Sequence, residues 1–94
     1  MYGTIARMKT KHGALQALRN MESHQPKGMV ATYVYRMDQN PEELWMAVVF
    51  ESKEAYRANA DSPEQNKEFL LLMENLVEEP VWHDGEIILE SKAR

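Results

Sequence analysis

The sequence of 94 residues has no cysteine, and it has only four glycines and four prolines. Without cysteine the chain forms neither a disulfide framework nor a thiol nucleophile, and a cytoplasmic location is the default expectation. Its longest apolar run, from Leu44 to Phe50, is far shorter than the roughly 20 residues that cross a bilayer. No signal-peptide pattern precedes that run. This composition predicts one soluble, cytoplasmic domain over residues 1–94 rather than a repeat array or a disordered tail.

Positive charge is also scarce, because 15 acidic side chains outnumber 11 basic ones and give a formal net charge of −4. Such a surface repels phosphate, so we expect no nucleic-acid partner and no membrane partner. The three histidines lack the short spacing of metal ligands, and the four glycines are isolated rather than grouped in a phosphate-binding loop. The sequence therefore predicts no metal site.

Residue patterns predict four strands and two helical regions. Alternating β-branched, aromatic and polar residues place the strands at 2–10, 29–37, 43–51 and 81–90. Apolar residues at helical spacing predict a first helix over 14–21. In the second region Ser52 is expected to cap a short helix. Ser62, Pro63 and Gln65 then form a capping box that starts the main helix, whose apolar stripe runs to Val77.

This order of elements predicts an α+β fold, namely a ferredoxin-like βαββαβ sandwich with an antiparallel sheet. Two helices cover only one face of such a sheet. The third predicted strand is nevertheless apolar on both faces, with Met46 and Val48 on one side and Trp45 and Val49 on the other. A monomer rarely exposes an apolar face of that size. We therefore predict a homodimer that packs sheet to sheet.

Four segments follow one another along the chain in a characteristic order. They are YGTIARMK at 2–9, VVFESKEAY at 48–56, DSP at 61–63 and WHDGE at 82–86. In this succession they resemble the antibiotic biosynthesis monooxygenase domain, a family of the dimeric α+β barrel superfamily. The resemblance covers essentially the whole chain, although no single segment is specific by itself.

The resemblance implies a dimer whose two sheets face each other, with a pocket in each protomer between sheet and helices. Relatives include cofactor-free oxygenases of anthrone-like polyketides and quinols, haem-degrading enzymes, and enzymes that act on a quorum-sensing signal. The haem-degrading relatives carry Asn, Trp and a haem-ligating His at positions that match Ala6, Asn59 and Phe69 here. Phenylalanine cannot ligate iron, so we expect neither haem nor another cofactor.

Aromatic and polar side chains suited to an apolar binding pocket occur on several of the predicted elements. The residues predicted to bind a small-molecule substrate are Tyr33, Tyr35, Trp45, Tyr56, Asn59 and Trp82. Alternation places Tyr33 and Tyr35 on one face of the sheet, and it leaves open whether that face contacts the helices or a partner subunit. Strand tyrosines and tryptophans are equally compatible with a structural role in a core or interface.

His83 is the predicted catalytic residue, because imidazole is the side chain best suited to proton transfer near neutral pH. The structural alternative is a turn histidine that hydrogen-bonds to the backbone or to Asp84. Arg7 and Arg36 are candidates to stabilise an enolate or phenolate.

The sequence thus favours a small cofactor-independent monooxygenase that acts on an aromatic, polyketide or quinol-type molecule. Two alternatives remain open on the same fold. One is a non-catalytic small-molecule-binding or stress-related dimeric barrel protein. The other is an isomerase or signal-degrading enzyme.

Overall fold

The computed structural model describes residues 1–19 and 25–93. Within these ranges the chain forms four strands and three helices, and the predicted residues of the first helix beyond Arg19 lie outside them. The bounds are β1 Tyr2–Lys9, α1 Leu15–Arg19, β2 Met29–Arg36, β3 Glu43–Phe50, α2 Lys53–Ala60, α3 Pro63–Met73 and β4 Val81–Glu86. None of the described helices is long and apolar enough to cross a bilayer.

The four strands form one antiparallel sheet in the order β2-β3-β1-β4. The connections after β1 and after β3 contain helices, whereas β2 and β3 form a hairpin. This split arrangement is the ferredoxin-like α+β fold, so the predicted fold class is confirmed.

The strand register divides the sheet into two faces, each made of residue rows that cross the strands. On the inner face the rows are Thr32–Val48–Thr4–Asp84, Val34–Met46–Ala6–Trp82 and Arg36–Leu44–Met8. The helices cover this face over β1 and β3, whereas Val34 of the edge strand β2 is 52% exposed. On the outer face the rows are Ala31–Val49–Gly3–Gly85, Tyr33–Ala47–Ile5–His83 and Tyr35–Trp45–Arg7–Val81. The face that carries Tyr33 and Tyr35 is therefore the outer one.

A small apolar core holds the helices to the inner face. Its centre is the buried cluster of Met8, Leu44 and Leu76, none more than 3% exposed. The side chains that pack against this cluster are Leu15, Leu18, Met46, Leu72 and Met73. Burial of each large apolar side chain stabilises the fold by about 1.5–3 kcal/mol.

Serine caps begin α2 and α3, as predicted. Ser52 Oγ accepts a hydrogen bond from the Ala55 amide at 3.1 Å, and Ser62 Oγ accepts one from the Gln65 amide at 3.1 Å. The full capping box is wrong, however, because the Gln65 side-chain oxygen accepts from Asn59 Nδ2 at 3.1 Å instead. Helix α2 ends just before α3 begins, and this proximity brings Asn59 within reach.

The C-terminal ends of α3 and β4 differ from their predictions, because backbone pairing with β1 determines where each of these segments changes its structure. Helix α3 ends at Met73, and the Val77 amide donates to the carbonyl of Lys9 at 2.8 Å, which gives a backbone group at the end of β1 a partner. Strand β4 ends at Glu86 because its register partner, Tyr2, is the first residue of β1. The predicted continuation through 87–90 therefore has no strand opposite it, and Ile88 is 89% exposed.

Candidate functional site

A cavity of about 630 Å³ lies between the inner face of the sheet and the helices. Its wall is largely apolar, with Met8, Met46 and Phe50 from the strands and Phe69 and Leu72 from α3. The polar side chains on the wall are Thr4, Arg19, Thr32, Arg36, Tyr56, Asn59, Gln65, Asn66 and Glu68. A space of this size and composition is typical of a small-molecule site.

Tyr56 connects the cavity with the exposed surface of β4. Its hydroxyl donates a hydrogen bond to Asp84 Oδ1 at 2.8 Å, and its ring packs edge-on against Phe50 with centroids 5.5 Å apart. Burial and this hydrogen bond raise the pKa of Tyr56 to about 12. The nearby Thr4 hydroxyl acts in the opposite direction on that pKa, although it makes no hydrogen bond of conventional geometry. The phenol therefore stays protonated at neutral pH.

Two buried polar atoms on the cavity wall have no hydrogen-bond partner within the described residues. They are Thr4 Oγ1 and Asn59 Oδ1. Asn59 already uses its amide nitrogen on Gln65, so its oxygen is the group that still needs a donor. Unpartnered buried polar atoms are rare in folded proteins, and here both occur in one cavity. A ligand hydroxyl would satisfy either of them.

Two arginines also lie on the cavity wall. Arg36 is in the inner row with Leu44 and Met8, and Arg19 ends α1 next to Leu18, which packs against the same Met8–Leu44 cluster. Neither arginine has a carboxylate partner among residues 1–19 and 25–93. Glu68 is the carboxylate of the described wall, and it makes an interaction of its own.

Comparison with known proteins identifies the fold. No family model and no curated protein matches the sequence. A solved structure from Chloroflexus aurantiacus that carries the name antibiotic biosynthesis monooxygenase superposes with a TM-score of 0.79 at 18% identity, over 97% of this chain and 96% of its own. The chain has an antibiotic biosynthesis monooxygenase fold. The resemblance noted in the sequence is thereby confirmed at the level of fold.

Further structures agree with this fold. A conserved protein from Methanosarcina mazei Go1 has a TM-score of 0.77 at 22% identity over 89% of each chain. An antibiotic biosynthesis monooxygenase by name, from Deinococcus radiodurans, has a TM-score of 0.71 at 11% identity over 100% of this chain and 99% of its own. At these low identities the likeness concerns the fold of this antibiotic biosynthesis monooxygenase-like chain, not its reaction.

The antibiotic biosynthesis monooxygenase fold separates the predicted site residues into two groups. Tyr56, Asn59 and Trp82 line the inner cavity. Tyr33, Tyr35, Trp45 and His83 belong to rows of the outer face, on the other side of the sheet. Arg36 lies on the cavity wall, whereas Arg7 is on the outer face.

On the outer face a smaller cleft of about 310 Å³ is formed partly by Arg7, Trp45 and His83. Glu43 organises its edge, because it accepts hydrogen bonds from Arg7 Nε at 2.9 Å and from Trp45 Nε1 at 3.1 Å. The hydrogen bond from Arg7, and after it the one from Trp45, hold the pKa of Glu43 below its ordinary value. The charge of Arg7 is therefore already neutralised at close range.

Sequence reasoning missed Thr4 and Gln65 as wall residues of the cavity. Thr4 follows the strand alternation of β1, so its assignment to the inner face needed the knowledge of which face the helices cover. Gln65 had a sufficient local explanation as a capping residue. Within the described ranges, no three histidine, aspartate or glutamate side chains lie close enough together to hold a metal ion.

Proposed function

We propose that this chain is a cofactor-independent monooxygenase that oxidises an aromatic or quinol-type molecule held in the inner cavity. The observation that carries the proposal is the pair of unpartnered buried oxygens, Thr4 Oγ1 and Asn59 Oδ1, on the wall of a largely apolar cavity of about 630 Å³. Apolar walls fit aromatic rings, and the two oxygens fit the hydroxyl groups of a phenol or hydroquinone. The names of structural relatives with the same fold agree with this reaction class.

The proposed reaction needs little from the protein beyond orientation and proton transfer. Loss of a proton from an anthrone or hydroquinone gives an electron-rich anion, which transfers an electron to molecular oxygen. For an anthrone, recombination forms a carbon–oxygen bond, and loss of water leaves the quinone. One oxygen atom enters the product and the other leaves as water, so the substrate and oxygen balance without a further reductant.

Tyr56 is the proposed proton carrier. As it receives the substrate proton on its oxygen, it passes its own proton to Asp84 Oδ1, which lies 2.8 Å away on an exposed residue. The raised pKa of about 12 means that free tyrosinate does not accumulate at neutral pH. The two transfers therefore have to be coupled, and both the hydroxyl and the Asp84 carboxylate are required.

Binding without turnover is the second candidate function. It is favoured by the absence of a histidine from the described wall of the cavity and by the protonated state of Tyr56. A ligand would then satisfy Asn59 and Thr4 without losing a proton. Oxygen consumption distinguishes this candidate from the first.

Oxygen uptake with anthrone and with a naphthohydroquinone tests the proposal. The wild-type protein is expected to consume one oxygen molecule per anthrone above the uncatalysed rate. Tyr56→Phe is expected to lower kcat by about 10–100-fold with little change in KM, because it removes a proton carrier but keeps the ring. His83→Ala, on the opposite face of the sheet, is expected to stay within about twofold of wild type.

Two results would count against this assignment. Ligand binding with no uptake by the wild type favours the binding function. Loss of uptake in His83→Ala with normal uptake in Tyr56→Phe would move the chemistry to the outer face and to His83, the catalytic residue that the sequence predicted.

We also propose that a second copy of the chain covers the outer face. The row Tyr33–Ala47–Ile5–His83 crosses the whole sheet, and Tyr33 and Ile5 are 56% and 49% exposed. The next row adds Tyr35 and Val81, which are 57% and 66% exposed. A continuous aromatic and aliphatic surface over four strands exceeds the scattered apolar residues of a typical monomer. A self-complementary pairing about a two-fold axis buries this surface on both copies at once.

A further inference from the structure

The inner cavity has two chemically different ends. Toward one end lie Thr4 and Val48, in the same inner row as Asp84, whose carboxylate accepts the hydrogen bond from Tyr56. At the other end lies the row that contains Arg36 and Leu44. Val48 and Leu44 are separated by four residues of one strand, a distance of roughly 13 Å. The rows of Thr4 and Arg36 are therefore separated by about the length of a three-ring molecule.

The described cavity wall has more positive than negative side chains. Arg36 and Arg19 both line the cavity, and neither has a carboxylate partner within 1–19 and 25–93. Arg7 offers the contrast, because Glu43 binds its guanidinium through two hydrogen bonds on the outer face. Glu68 is the one carboxylate on the described wall, so the two arginines leave that wall with a net positive charge. The chain as a whole is acidic, with a net charge of −4, so the charge of this wall is opposite in sign to the net charge of the chain.

We infer that the ligand of the cavity carries an acidic group, a carboxylate or its equivalent, at the end opposite to its reacting hydroxyl. The inference rests on the proposed function for the identity of the hydroxyl end and extends it to the substrate class: a hydroxylated aromatic acid. Arg36 binds the acid group, since a guanidinium pairs with a carboxylate through two parallel hydrogen bonds. Arg19, also on the cavity wall, adds a second positive charge. The acid fixes the direction in which the ligand enters, so that its hydroxyl reaches Asn59 and Thr4.

Calorimetric titration with two matched ligand pairs tests this inference. The first pair is rhein, a dihydroxyanthraquinone carboxylic acid, and its carboxamide. The second pair is ω-hydroxydecanoic acid and its amide, which keep the two polar ends but remove the aromatic rings. In each pair, only the charge at one end differs.

The wild-type protein is expected to bind each acid about tenfold more tightly than its amide, the ordinary gain of a charge-assisted pair over a neutral one. Arg36→Met is expected to remove that preference while leaving amide binding within about twofold, and Arg36→Lys to retain part of it. Arg57→Met is the matched control, because Arg57 is an exposed arginine of α2 outside the cavity wall, and this variant is expected to behave as wild type.

Each other outcome has a distinct meaning. Equal affinities for acid and amide, or an equal loss of both in Arg36→Met, would overturn the inference and leave the aromatic cavity standing. Arg36-dependent binding of the aliphatic acid without binding of either anthraquinone would support the acid end and overturn the proposed aromatic substrate. Binding of none of the four ligands would overturn both.

Discussion

Gly3→Ala is expected to lower the free energy of unfolding by about 3 kcal/mol or more. A Cβ atom at Gly3 would lie 2.1 Å from the Val48 carbonyl oxygen and 3.2 Å from its carbonyl carbon. Both atoms belong to the backbone of β3, the strand paired with β1, so relief requires that two central strands move apart. The inner row that positions Thr4 against Val48 would move with them.

Gly85→Ala is the matched control for this substitution. Gly85 is paired with Gly3 in the same outer row, but a Cβ atom there meets no other atom within 4 Å. Its stability is expected to change by no more than about 0.5 kcal/mol. Urea unfolding of the two variants at equal protein concentration gives the comparison. Equal stabilities would mean that the backbones of β1 and β3 are not in close contact at Gly3.

Tyr33→Glu is expected to convert the protein from a dimer to a monomer at micromolar concentration. Tyr33 lies in the outer row that crosses all four strands and is 56% exposed, so a carboxylate there leaves the isolated chain folded but enters the proposed interface. A buried unpaired charge in an interface costs several kcal/mol. Because a two-fold dimer carries the substitution twice, a cost of about 3 kcal/mol per copy weakens association by roughly 10,000-fold.

Light scattering behind a sizing column measures this effect directly. The wild type is expected to have twice the 10.9 kDa mass of the chain, and Tyr33→Glu the mass of one chain. Leu70→Glu is the control, because Leu70 is equally exposed at 56% but lies on α3, on the other side of the sheet. A wild-type monomer would contradict the proposed dimer. Dissociation by Leu70→Glu but not by Tyr33→Glu would place the interface on the helices.

The fold was predictable from the sequence because its signals are local. Alternation defined the strands, and Ser52 and Ser62 marked the two helix starts through hydrogen bonds within three residues. The end of α3 was not predictable in this way. Leu76 and Val77 continue an apolar helical stripe, yet the backbone groups at the end of β1 attract this segment into pairing. That competition depends on a strand more than sixty residues away in sequence.

The site was less predictable than the fold, for reasons that concern faces and partners. Alternation correctly grouped Tyr33 with Tyr35, but period-two spacing carries no information about which face the helices cover. His83 was favoured for its chemistry, and the register places it beside Ile5 on the outer face. The assignment of the cavity as a binding site depends on buried polar atoms that have no hydrogen-bond partner, above all Asn59 Oδ1. Whether a buried amide is satisfied is visible only once its neighbours are in place.

We expect a small aromatic molecule to bind between the sheet and the helices. Methyl NMR of the methionines during titration with a dihydroxyanthraquinone tests it most directly, with resonances assigned by Met→Leu variants. Met8, Met29 and Met46 line the cavity, whereas Met1 and Met37 do not. We predict saturable shifts of the first three resonances, from the ring current of the bound ligand, and unchanged Met1 and Met37. Saturable shifts confined to methyl groups outside the cavity, or no shifts at all, would contradict it.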